Sequence, residues 1–229
     1  MRRSFLFALL ALVLVALAGG GQLLLRRHRP ASAPALAEGA LAALGGLRGI
    51  AAEVIWFRAD RLQGEGRFVE LAQLARTLAY LEPHTPEVWS YAAWNMAYNI
   101  SVMMPTDADR WRWVRAAIEL LRDDGLRLNP GSPEICRELA LLFEIKLGLD
   151  IDSAAAPYRA NWREIVRDVR ARGAWEELAM DEAEMRRITA ETGLSDWEDP
   201  LLSAIYWARK GGLADLARQA AMIYRKRRI

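Results

Sequence analysis

Glu82-Pro83-His84-Thr85-Pro86-Glu87-Val88-Trp89 returns 47 residues later as Asn129-Pro130-Gly131-Ser132-Pro133-Glu134-Ile135-Cys136. Each copy closes one helical pattern and opens the next. Pro suits the first turn of a helix, and Glu beside it favours the positive end of the helix dipole. A phrase repeated in this way marks stacked helical hairpins, in which one unit cannot bury its apolar face and its neighbours cover it. Such surfaces bind other molecules more often than they perform chemistry.

Working outward, apolar residues recur at helical spacing almost everywhere. Ile50 to Gln63 reads as a first helix broken by Gly64-Glu65-Gly66, and Phe68 to Leu81 as a second, stopped by Pro83. The third opens at Pro86 and fades at Met103-Met104-Pro105; Thr106-Asp107 caps a fourth that runs to Leu128. The fifth spans Ile135 to Leu147, and Asp152-Ser153 caps a sixth reaching Arg172, with Pro157 tolerated only in its first turn. Ala174 to Thr192 reads as one seventh helix, and Trp197 to Arg209 with Leu213 to Arg227 as a closing hairpin around Gly211-Gly212. No segment alternates with period two, so the expected class is all-α.

The 229 residues suffice for one sizeable domain and an appendage. The net charge of +2 supplies no field that would select nucleic acid, and no basic stripe is interleaved with aromatics. Phe5 to Leu25 is free of charge between Arg2-Arg3 and Arg26-Arg27, long enough to cross a bilayer. The expected organisation is an anchor in 1–29 with its span at 5–25, an Ala/Gly/Pro linker in 30–46 and a helical body in 47–229. A cleavable signal peptide ending near Ala16-Leu17-Ala18 is the competing reading. A short N-terminal tail stays inside, which places the body outside the cytoplasm, in the periplasm.

Enzyme motifs are missing. His28 and His84 are the two histidines, and His84 sits in a turn expected to face solvent. No phosphate loop, metal cluster or His-based triad is legible, so no cofactor, metal or small-molecule substrate is expected. Cys136 stands where the first copy has Trp89, and reads as a small core residue. Glu182 and Glu184 lie within helical reach of Arg186 and Arg187, a solvated ion-pair face. Arg225-Lys226-Arg227-Arg228 reads as a helix C-terminus that complements the dipole.

Gly66, Phe68, Pro83 and Trp89 hold the spacing of the tetratricopeptide repeat, with small residues Ala59, Ala93, Ala140 and Ala204 where its helices cross. The chain therefore resembles that family. Gly211-x-Leu213-x-Asp215-Leu216-Ala217 matches Gly66-x-Phe68-x-Glu70-Leu71-Ala72 in the same sense. The middle units recur at 47 residues against about 34 in the family, so an irregular, tetratricopeptide-like solenoid is expected. Trp94 to Ser101 with Trp111-Arg112-Trp113-Val114 is also similar to membrane-anchored bacterial repeat proteins.

The resemblance implies a concave groove lined by first-helix positions. Carried over, these are Glu53, Trp56, Asp60 and Gln63, then Glu87, Ser90, Trp94 and Tyr98, then Glu134, Arg137, Leu141 and Glu144. Trp56, Asp60, Ser90, Trp94, Tyr98, Arg137 and Leu141 are the candidate binding residues. The family's carboxylate-gripping residues are absent from the matching positions, so an aromatic groove for a peptide with apolar anchors is expected. The competing expectation is that Trp94, Tyr98, Asn95 and Asn99 pack against the inserted 107–128 helix. Function is expected to be a membrane-anchored, non-catalytic scaffold for protein partners. The alternative is a structural or accessory subunit of a membrane transport or secretion complex, with Gly19-Gly20-Gly21 allowing close helix approach.

Overall fold

A computed structural model describes residues 54–227 apart from Trp56 and Gln63, all of them within one compact unit. The apolar segment at 5–25, the linker at 30–46, Glu53 and the end of the basic tail at Arg228 lie outside the described residues. Among the described residues there is no strand, and no helix is long and apolar enough to cross a membrane.

Helical residues between 54 and 64 form α1, and α2 is Phe68–Leu81. Gly66 joins them at φ 70°, a left-handed conformation that Gly adopts without the steric cost of a Cβ. Pro86–Trp94 opens α3, which continues without a break through a wider π turn, Asn95–Ile100, and a 3₁₀ turn, Ser101–Met103. Thr106 caps α4 by accepting from the Asp109 amide; this helix runs from Asp107–Glu119 through a π turn at Leu120–Gly125 to Leu126–Leu128. Ser132 caps α5 through the Ile135 amide, and α5 passes from Pro133–Leu141 into a π turn at Leu142–Gly148. Asp152 accepts from the Ala154 amide at 2.9 Å just before α6, Ala155–Arg172, which carries Pro157 in its first turn.

The seventh helix departs from the sequence expectation. Instead of one helix over Ala174 to Thr192, a 3₁₀ turn at Trp175–Leu178 ends in Ala179 with φ 52°, and α7 begins only at Glu182–Thr192. The break is held by long-range contacts: the Asp181 amide donates to Tyr206 Oη at 2.9 Å, while the Asp181 carboxylate caps α7 through Ala183 N. The closing hairpin starts later than its periodicity suggests, at α8 Pro200–Lys210 capped by Asp199, and ends in α9 Ala214–Arg227.

The two copies of the repeated phrase bond to each other. Asn129 Nδ2 donates to Pro83 O at 2.8 Å, and His84, exposed as expected, places Nδ1 3.0 Å from Leu128 O. At the other end of the same helices, Lys146 Nζ lies 5.2 Å from the Tyr98 ring centroid. The helices α3 and α5 are therefore parallel neighbours. Small residues sit inside this stack as expected: Ala59, Ala93, Ala140 and Ala204 are all buried. Gly125 of α4 lies where an added Cβ would stand 3.3 Å from Ile135 and 3.6 Å from Trp89, so the absence of a side chain lets three helices close.

The last hairpin runs the other way. At Gly148, the end of α5, a Cβ would stand 2.6 Å from Leu201 at the start of α8; at Gly211, the end of α8, it would stand 2.8 Å from Cys136 at the start of α5. Thus α8 is antiparallel to α5, and α9 returns parallel to it. Every residue of α8 from Pro200 to Ala208 is buried, making it the central helix of the C-terminal half. Its turn also shifts the sequence alignment by one. Gly212, at φ 71°, and the Leu213 amide, which donates to Ala208 O at 2.8 Å, repeat the pattern of Gly66 and the bond from Arg67 to Leu62 O at 2.9 Å. Hence Gly212, and not Gly211, is the counterpart of Gly66.

Candidate functional site

Both copies change from α to π geometry after nine residues, at Asn95 in α3 and Leu142 in α5. Wider turns of this kind recur at functional sites. In α3 the turn leads into an aromatic pair: Trp94 is 40% exposed, and its ring centroid lies 6.0 Å from that of half-buried Tyr98. On α5 the corresponding face carries half-buried Leu141 and Ile145 with the buried carboxylates Glu138 and Glu144. Gln219 of α9 donates through Nε2 to Glu144 Oε1. The candidate groove therefore draws on α5, Trp94 and Tyr98 on α3 and Gln219 on α9.

Its electrostatics follow from burial. Burial pushes the Glu138 carboxyl up to about 7, Arg137 opposing and Glu134 adding to the shift. Burial likewise raises Glu144, which the Gln219 hydrogen bond partly offsets. Tyr98 is raised by burial first, then by the nearby Glu138 and Glu144 charges. Beneath them lies a buried ion pair: Lys146 Nζ is 2.5 Å from Asp152 Oδ2, the side chains being 4% and 8% exposed. Desolvation lowers Lys146 while Asp152 opposes the shift, and hydrogen bonds hold Asp152 below the usual carboxylate range against its own desolvation. Arg110 completes this end, donating to Ser101 O at 3.3 Å and to Ser153 Oγ at 2.8 Å, and so capping α3 against the loop after α5.

The structure divides the residues read from the sequence. Trp94 and Tyr98 come together, and Leu141 is half-buried at the position of α5 that corresponds to Trp94. Ser90 turns inward, buried with an Oγ that has no hydrogen-bond partner. Arg137 is exposed and paired with Glu134 at 3.2 Å. Asp60 is exposed on α1, and Trp56 and Gln63 lie outside the described residues. Asn95 is fully buried and accepts from Asn99 Nδ2 at 2.7 Å within its own helix, while Trp94 keeps its open face.

Sequence reasoning left Glu138, Lys146 and Gln219 out of the groove. A signal existed for two of them: Glu138 and Lys146 interrupt the apolar run Ile135 to Leu147, where a charge on the inner face has to be accommodated. Cys136 is buried, with its thiol pushed up by burial, as a core residue should be.

Elsewhere, Glu182–Arg186 and Glu184–Arg187 pair at 3.2 and 3.3 Å on the exposed face of α7, as expected. The basic tail does more than complement its own helix. Arg225 donates to Thr192 O at 3.0 Å and Arg227 to Gly148 O at 2.7 Å, so they cap α7 and α5. Cavities of about 300 Å³ between Trp111 and Trp162, about 310 Å³ between Trp175 and Trp197, and about 640 Å³ beside Arg209 and Arg218 lie away from the groove. Among the described residues no group of three His, Cys, Asp or Glu side chains could hold a metal ion. No family model, curated protein or solved structure matches the chain.

Proposed function

We propose that this chain is a membrane-anchored, non-catalytic scaffold, a tetratricopeptide-like stack of helical hairpins whose groove captures a membrane-associated protein partner. The observation that carries the reading is the open aromatic face of Trp94 beside Tyr98, set above a floor that is otherwise closed. Aromatic side chains of this kind dominate binding energy when a partner desolvates them. The parallel stacking of α3 on α5 supports the repeat relationship, and the reversed α8 accounts for its irregularity. The apolar segment at 5–25 would hold the groove on one face of the membrane, outside the cytoplasm, and raise the local concentration of a membrane neighbour.

The test is cross-linking in intact cells with wild type and Trp94→Ala. Capture of a partner falls in the variant while its melting temperature stays within a degree or so, because Trp94 is partly exposed. A fall of several degrees would assign Trp94 to the core and end the groove reading. Exchanging residues 5–25 for an unrelated membrane-spanning helix separates a scaffold, which keeps its partner, from a subunit of a transport or secretion complex, which loses assembly.

A further inference from the structure

The other carboxylates whose side chains are nearly covered are matched by cations: Asp152, 8% exposed, pairs with Lys146, and Asp199, 4% exposed, with Arg227. Glu138 and Glu144 break the pattern. They are 6% and 1% exposed, and among the described residues neither has a cation within ion-pair distance. Glu144 accepts one hydrogen bond from Gln219, and its other oxygen, Oε2, is buried with no partner at all. An unpaired buried carboxyl group is costly, and one beside an open aromatic face marks a candidate recognition site.

What surrounds the two carboxylates indicates what would pair with them. Trp94 on α3 is 40% exposed and lies against Tyr98, which feels both Glu138 and Glu144. Trp and Tyr faces also attract cations. Resting on the scaffold reading above, we infer that the groove receives a partner segment carrying one Lys or Arg between apolar residues. The cationic end pairs with Glu138, the less deeply buried carboxylate, and an apolar neighbour lies against Trp94.

The probe is a phage-displayed library of random linear peptides, selected on the full chain in detergent micelles. The enriched peptides are expected to share one Lys or Arg flanked by apolar residues. A labelled synthetic copy should lose affinity by about thirty-fold or more when that residue becomes Gln, and equally with Glu138→Gln. The melting temperatures of Glu138→Gln and Glu144→Gln should hold or rise, because a neutral amide relieves the unpaired charge. Enriched peptides without a cation, unchanged affinity in Glu138→Gln, or a melting temperature several degrees lower in that variant would each overturn the inference. Peptides that require Trp94 but no cation would sink this inference and leave the scaffold intact. Absence of enrichment, or binding indifferent to Trp94→Ala, would remove both.

Discussion

The helices α3 and α5 begin with the same phrase, turn from α to π geometry after the same number of residues and lie parallel, yet their interiors differ in kind. At the fourth position of each, Trp89 is fully buried in α3 and Cys136 in α5. Further along, Tyr91, Asn99 and Ser101 of the first copy correspond to Glu138, Lys146 and Gly148 of the second. The buried positions of the first copy are neutral, and an indole fills their space. The second is charged, and at Cys136 and Gly148 it is small because the reversed hairpin presses on it there. Repetition therefore fixes the backbone, while the neighbour on each side decides which side chain fits.

Exchanging residues between the copies is the most direct way to break this comparison. Trp89→Cys should cost about 3–5 kcal/mol in urea unfolding, since the indole has no replacement in that space. The reciprocal Cys136→Trp should yield no cooperatively folded protein, because Gly211 leaves no room beside Cys136. If both exchanges were mild, the two sites would be interchangeable and the comparison would fail.

Lys146→Asn imports the side chain of Asn99 and leaves Asp152 buried opposite Arg110, which stands 3.6 Å away. Breaking a buried pair is expensive, and with Arg110 compensating in part the loss should be about 2–3 kcal/mol. A variant as stable as wild type would show that Arg110 alone neutralises Asp152.

Glu138 makes the second copy sensitive to pH. Its folded carboxyl is raised to about 7, so the native state holds this proton more tightly than the unfolded chain. The associated stability is present in full below the unfolded carboxylate range and is lost as pH rises towards 7. The change should be on the order of 2–3 kcal/mol, and should largely disappear in Glu138→Gln when melting is followed against pH. Glu144, raised in the same direction, leaves a smaller residual slope. A wild-type curve as flat as that of the variant would show that Glu138 is solvated.

Gly148→Ser imports the residue at position 101. Its Cβ would meet Leu201 at 2.6 Å and Phe143 O at 2.9 Å, so α8 must shift, at a cost of about 1–2 kcal/mol. Ser101→Gly should cost less, because removing the hydroxyl that bonds Ala97 O leaves no clash with α8. Equal effects would mean that α8 does not press on α5.

Helix existence, the cap at Thr106 and the turn at Gly66 were legible because each depends on residues a few positions apart. The small residues at 59, 93, 140 and 204 were legible too, because the repeat states its own packing. The aromatic pair of the groove follows from helical spacing alone, since Trp94 and Tyr98 are one turn apart.

Other features belonged to the tertiary structure. Ala179 adopts a left-handed turn because Tyr206, 27 residues away, holds the adjoining backbone. The direction of α8 is set by where Gly148 and Gly211 permit contact, and helical periodicity is the same in either direction. Burial of Glu138 and Glu144 depends on α3 and α9 closing over α5, and their sequence neighbours carry no record of that. Local hydrogen bonding is written in adjacent residues and can be read from them. Helix polarity, closure and the environment of a charge arise from contacts between distant segments, and only the assembled body decides them.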